Sequence, residues 1–167
     1  MSRLFYALCP DPATRASLVE ISKAIKKGNL TTPENLHITL LYLGQVDRER
    51  RHDLITMTTG ITTDQFKLVL TSCGWWKRAR VLWLAPAEVP QQILDLVSGL
   101  SSLAKRHNLS IEDRPYLPHV TLARKISQPI EIEIEPISWQ VREFSLLEST
   151  SSPRGVEYKI IHTWPLT

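Results

Sequence analysis

The sequence predicts an α+β fold, a single domain over residues 1–167 in which antiparallel sheet is backed by helices. Three observations lead there. Segments with strand and helix patterns are intermixed without regular alternation, which disfavours a doubly wound parallel sheet. A hydrophobic share of 43% is enough for a core that needs no disulfide or metal staple. Two matching tetrads, His37-Ile38-Thr39-Leu40 and His119-Val120-Thr121-Leu122, stand about half the chain apart. Each half reads as a helix accompanied by several strands, so the layout predicts two pseudo-symmetric lobes.

In chain order, Arg3 to Leu8 reads as a short buried strand, and Asp11-Pro12 as an N-cap followed by proline at the first helical position. The first helix is predicted to run to Gly28, with Leu18, Ile21 and Ile25 at helical spacing and a basic end at Lys23, Lys26 and Lys27. Leu36 to Leu43 reads as a strand stopped by Gly44, and Asp47 is predicted to cap a second helix through about Thr58. Phe66 to Thr71 and Arg80 to Ala85 read as a hairpin whose loop, Cys73 to Ala79, is basic and carries tryptophan. A clear amphipathic helix opens at Pro90, shows Ile93, Leu94, Val97, Leu100 and Leu103 on one face, and closes at Lys105-Arg106. Val120 to Ala123, Val141 to Leu147 and Tyr158 to Trp164 are the remaining strands. Gln128 to Pro136, alternating Ile and Glu between prolines, reads as an exposed connection or edge.

Composition narrows the partners. Lys and Arg number 20 against 17 acidic residues, so a formal charge of +3 permits an anionic ligand without demanding one. Cys9 and Cys73 form no C-x-x-C pair, which argues against a zinc knuckle and a disulfide framework and fits a reducing cytoplasm. The N-terminal stretch reaches Pro10 and Asp11 too soon for a signal peptide, and no apolar run approaches the roughly eighteen residues of a membrane span. The expectation is a soluble cytoplasmic monomer with no membrane partner.

The tetrads carry the chemistry. Residues i and i+2 of a strand share a face, so His37 and Thr39 emerge side by side, as do His119 and Thr121, while Ile38, Leu40, Val120 and Leu122 fill the core behind. With this chain's composition a given histidine meets Thr at +2 and Leu at +3 about once in a hundred times, so two hits among five histidines is on the order of one in a thousand. For one tetrad, an ordinary core strand with a satisfied histidine is the better reading; for two equivalent ones it is not. In-line displacement at phosphorus places the incoming and departing oxygens on opposite sides, so base and acid must also come from opposite sides, one histidine from each lobe. One neutral ring accepts a proton, one charged ring donates one, and the threonine hydroxyls donate to the free phosphate oxygens. A catalytic zinc takes three protein ligands and the tetrads bring two imidazoles, so no metal and no cofactor are expected.

At these residues the sequence resembles the two-histidine phosphoesterases, and more closely the bacterial LigT-like RNA 2′,3′-cyclic phosphodiesterases. The likeness spans nearly the whole chain through Arg3-Leu4-Phe5 with Ala7, Asn35-Leu36-His37-Ile38-Thr39-Leu40 with Leu43-Gly44, Arg80-Val81-Leu82-Trp83-Leu84, and Pro118-His119-Val120-Thr121-Leu122-Ala123-Arg124. The resemblance implies two lobes of antiparallel sheet with helices on the outer faces and the site in a central cleft. It implies that His37 gives a proton to the departing 3′ oxygen, that His119 takes one from water, and that an RNA 2′,3′-cyclic phosphate end becomes a 2′-phosphomonoester. It also implies a related transesterification that joins RNA ends through a 2′-5′ bond. The same site could serve small nucleotides or ADP-ribose-type cyclic phosphates, and a third reading is an RNA-end binding module.

Secondary candidates carry two readings each. Arg124, three residues beyond Thr121, is a phosphate clamp or a solvated strand-end charge. Phe5 and Tyr158 fall on apolar strands, where core packing competes with stacking on a base. Trp75-Trp76-Lys77-Arg78 combines aromatic faces with charge, the mixture of single-stranded RNA binders, and Trp76 is its candidate contact; a hydrophobic lid edge is the alternative. His52, His107 and His162 lack threonine at +2 and are assigned no role.

Overall fold

The computed structural model describes residues 2–167. Nine strands are found among them: β1 (Ser2–Leu8), β2 (Asn29–Leu30), β3 (Ile38–Val46), β4 (Phe66–Trp76), β5 (Val81–Pro86), β6 (Val120–Arg124), β7 (Ile137–Val141), β8 (Glu143–Ser152) and β9 (Gly155–Pro165). The α-helices are α1 (Pro12–Ser22), α2 (Arg50–Thr58) and α3 (Gln91–Arg106), and a 3-10 turn covers Pro33–Asn35. The strands lie in the order β7-β4-β5-β6-β3-β1-β8-β9, with β2 beside β6, and the recorded pairings are antiparallel. The order divides into two halves of four strands whose ladders, among the described residues, join where Ile38 of β3 pairs with Val120 of β6. Each tetrad strand is therefore the innermost strand of its lobe.

The alternation of burial explains why the tetrads serve core and cleft together. Ile38, Leu40, Val120 and Leu122 are buried on one face, and Leu4, Tyr6 and Leu8 of β1 join them. The opposite face carries a small separate cluster of Phe5, Ala7 and Leu147 with Tyr158 against it. Each fully buried Leu or Ile contributes about 1.5–3 kcal/mol, so the strands are held by the face that does no chemistry. Helix α1 follows β1 yet packs on β6 and β7, and α3 follows β5 yet packs on β3. Each helix thus reaches across to the other lobe, and the two share one core. Asp11 caps α1 as the sequence predicts: its Oδ1 accepts from the N–H groups of Ala13 and Thr14, and its Oδ2 from the Thr14 hydroxyl.

Several elements differ from expectation. Helix α1 ends at Ser22, not Gly28; Lys23, Ala24 and Ile25 donate to carbonyls three residues back, a tightened last turn that releases the chain toward β2. Gly28 lies in the ensuing turn at φ +78°, where a Cβ would strike the Arg124 carbonyl and Ile126. Asp47 does not cap α2, which begins after Glu49 without a side-chain cap; the Asp47 and Arg48 carbonyls accept from the N–H groups of Arg50 and Arg51 instead. Strand β3 starts after His37 and passes Gly44 to end at Val46. Trp75 and Trp76 belong to β4, not to a loop, because β4 and β5 stay paired as far as Trp76 and Val81. On α3, Leu96 is buried and Leu94 exposed. The segment read as one strand from Val141 is two, since β7 ends at Val141 and β8 begins at Glu143. Residues 128–136 form an extended connection in which Ile130, Ile132 and Ile134 lean on the core while Glu131, Glu133 and Glu135 face out. No helix among the described residues is long and apolar enough to cross a membrane.

Candidate active site

Where the two lobes meet, β3 and β6 present both tetrads to one cleft of about 140 Å³, lined by Phe5, His37, Thr39, Tyr42, His119, Thr121, Arg124, Ser149 and Tyr158. Each histidine stands one residue ahead of its strand, and each is fixed in the same way. His37 Nδ1 lies 2.6 Å from the Asn35 carbonyl, and His119 Nδ1 lies 2.7 Å from the Leu117 carbonyl, in both cases two residues back. A carbonyl only accepts, so each neutral ring carries its proton on Nδ1 and leaves Nε2 with the lone pair. At His37 that lone pair accepts from the Thr39 hydroxyl at 3.0 Å. The two tetrads thus deliver the same titrating atom, Nε2, from two lobes.

The electrostatics favour neutral rings in the free protein. Burial is the main cause that brings His37 down to about 4; the Asn35 hydrogen bond opposes it, and His119 and Arg124 push the same way as burial. His119 is lowered as well, first by burial and then by Arg124 and Arg114, against the Leu117 hydrogen bond. Arg124, exposed at the end of β6, acts on both rings. Among the described residues no three of His, Cys, Asp and Glu gather into a metal-holding group.

Each ring has an aromatic wall. Phe5 and Tyr158 lie 5.2 and 5.1 Å from His37 by ring centroid, and 5.0 Å from each other. Trp76 stands edge to face with His119 at 4.5 Å and is backed by Trp83 at 5.4 Å. Phe5 is buried in the cleft wall and Tyr158 half-buried beside it, so the packing and cleft positions expected as alternatives coincide. The cleft and its walls bring together the eight candidate residues: His37, Thr39, His119, Thr121, Arg124, Phe5, Trp76 and Tyr158. His52, within α2, and His107, at the end of α3, lie together away from the cleft, and His162 packs on Trp164.

Sequence reasoning missed Tyr42, Ser149, Asn35 and Tyr116. Tyr42 had a signal, because it follows His37 by the same five residues as Arg124 follows His119. Asn35 had none. Its side chain reaches across the fold, Nδ2 donating to the Val156 carbonyl at 2.7 Å and Oδ1 accepting from Tyr158 N–H at 3.3 Å, so one residue fixes both the His37 tautomer and the strand that carries Tyr158. Tyr116 hydroxyl donates to the Thr39 carbonyl at 3.1 Å, tying the approach to the second tetrad onto the first.

Known proteins are similar to this chain over nearly its full length. The RNA 2′,3′-cyclic phosphodiesterase of Escherichia coli K12 is 31% identical over 170 residues, covering 99% of this chain and 97% of that protein. A protein of the same name from Thermotoga maritima is 29% identical over 178 residues, covering 96% and 93%. The crystal structure of E. coli LigT complexed with 3′-AMP matches with a TM-score of 0.92 at 30% identity, over 99% of this chain and 98% of that one. The sequence pattern of the 2'-5' RNA ligase superfamily matches residues 10–153, and the chain belongs to that superfamily.

Proposed function

We propose that the protein hydrolyses a terminal RNA 2′,3′-cyclic phosphate to a 2′-phosphomonoester, as a hydrolase that needs no metal. The observation that carries this reading is the matched anchoring of His37 and His119, which turns two Nε2 atoms from separate lobes onto one small cleft. The names of the relatives in the same superfamily point to the same substrate.

His37 protonates the departing 3′ oxygen and His119 takes the proton of the attacking water, labels that rest on the resemblance. Water oxygen bonds to phosphorus, the P–O3′ bond breaks, and the proton accepted at one ring balances the one lost at the other. Burial makes His37, once protonated, a strong acid that yields its proton readily. The negative phosphate supplies the counter-charge that lets one ring hold that proton when substrate is bound. Thr39, Thr121 and Arg124 donate to the free phosphate oxygens, where charge sits in the transition state. Phe5, Tyr158 and Trp76 contact the sugar and base. Replacing water by the 5′-hydroxyl of a second RNA strand would join the ends through a 2′-5′ bond at the same atoms. The site is complete within one chain, consistent with a monomer, and the two free cysteines suit the cytoplasm.

Turnover of a cyclic-phosphate oligonucleotide in EDTA tests the proposal. His37→Ala or His119→Ala should each lower kcat by about 10²- to 10⁴-fold, while the fold remains intact. Wild-type rates in either variant would end it. Turnover of cyclic mononucleotides or ADP-ribose-type cyclic phosphates alone would move the assignment to small ligands, and tight RNA binding without turnover would make the protein a binding module.

A further inference from the structure

We propose that the tip of the β4–β5 hairpin and the outer end of β6 form a track for single-stranded RNA that leads into the phosphate cleft. The inference rests on the cyclic-phosphate reading for the end that enters the cleft. Three observations carry it.

The first is charge. From residue 65 to 87, and again from 114 to 130, the chain contains no acidic residue. These stretches hold β4, β5 and β6, which lie side by side. Their exposed cations Lys77, Arg78, Arg80, Arg124 and Lys125 have no carboxylate within ion-pair distance among the described residues. The rim of the other lobe differs, because around the β8–β9 turn Arg154 and Lys159 alternate with Glu148 and Glu157. A row of cations with no acidic residue interspersed is what a phosphate backbone recognises.

The second is placement. The Ile126 N–H donates to the Arg80 carbonyl at 3.0 Å, and Trp75 Nε1 donates to the Ile126 carbonyl at 3.0 Å. These bonds pin the hairpin tip to the end of β6, so Lys77 to Arg80 and Arg124-Lys125 make one surface. Arg124 is also a cleft residue, so the surface is continuous with the phosphate site.

The third is the aromatic at the join. Trp76, half-buried and against His119, is the last residue of β4 before the basic turn. Cation, aromatic ring and phosphate site therefore follow one another. That sequence of groups suits a strand whose bases are unpaired and free to stack, and a duplex hides those faces.

The test compares kcat/KM for an RNA octanucleotide ending in a 2′,3′-cyclic phosphate with that for 2′,3′-cyclic AMP, in the intact protein and in the Lys77→Glu/Arg78→Glu variant. Both substitutions lie in an exposed turn. The wild type should prefer the octanucleotide by about tenfold or more at low salt, and the variant should lose that preference through KM. Anisotropy with a labelled octanucleotide ending in a 2′-phosphate should show the slope of log affinity on log salt falling by about 1.4, roughly 0.7 for each cation removed. Equal kcat/KM for the two substrates in the wild type, or a preference kept by the variant, would overturn the track and leave hydrolysis standing. Failure to turn over either substrate, with octanucleotide binding that the variant loses, would support the track and overturn hydrolysis. Equal affinity for a DNA duplex of the same length would overturn the single-strand assignment.

Discussion

His37 shows how one residue links site chemistry to stability. Its ring is held near 4 in the folded chain, against an ordinary value of 6.5. Between those two values the unfolded chain binds a proton that the folded chain refuses. Protons therefore favour unfolding in that window, and stability falls as pH drops from about 6.5 toward 4. The stability associated with this group is complete above the window and lost below it. His119, also lowered, adds in the same direction. The substitution His37→Gln removes this titration, so the melting temperature should change less between pH 6.5 and pH 4 than it does in the wild type. Thermal unfolding at a series of pH values reads this, and an unchanged pH slope in the variant would show that burial does not depress this ring.

At the scale of elements, the wall behind His119 depends on a glycine. Gly74 faces Trp83 across the β4–β5 ladder, and a Cβ built on Gly74 would fall inside the Trp83 indole. Trp83 backs Trp76, and Trp76 meets His119, so a methyl group at position 74 displaces the series from its far end. Gly74→Ala should lower kcat/KM for the cyclic phosphate by about tenfold and destabilise by about 1–3 kcal/mol. Gly60→Ala, where the added Cβ meets nothing, serves as the control; equal effects of the two would show that the tryptophans do not position His119. The series also marks how much was legible in the sequence. The tetrads were, because strand alternation converts His-x-Thr directly into a shared face, and so was the α1 cap, because Asp-Pro is a local signal. The extension of β4 through Trp75 and Trp76 was hidden by aromatic and polar residues that mimic a loop. Strand β7 was hidden by the irregular connection before it, and the grip of Asn35 on β9 by the 121 to 123 residues that separate the partners.

For the whole molecule, the question is what sets one lobe against the other. The strand ladder gives little, a single pairing of Ile38 with Val120. The shared core gives adhesion but not register, since apolar contact is non-directional. Directional ties come from the segments leading into the tetrads. Thr31, ahead of β3, bonds the second tetrad through its N–H to the Leu122 carbonyl at 2.9 Å and its hydroxyl to the Thr121 carbonyl at 2.8 Å. In the reverse sense, Tyr116, ahead of β6, bonds the Thr39 carbonyl. Each tetrad is thus held by the approach to the other. Burial raises the pKa of the Tyr116 hydroxyl well above its ordinary value, so it stays a neutral donor at any working pH. Tyr116→Phe removes this one donor and keeps the ring. A hydrogen bond of about 1 kcal/mol would then be lost, lowering the melting temperature by about 2–4 °C. If the tie also sets the separation of the two Nε2 atoms, kcat should fall by about three- to tenfold while KM for a cyclic mononucleotide stays nearly constant, because misplacement acts on the transition state more than on binding. A lowered melting temperature with unchanged kcat would mean that Tyr116 stabilises the fold without setting the distance between the lobes.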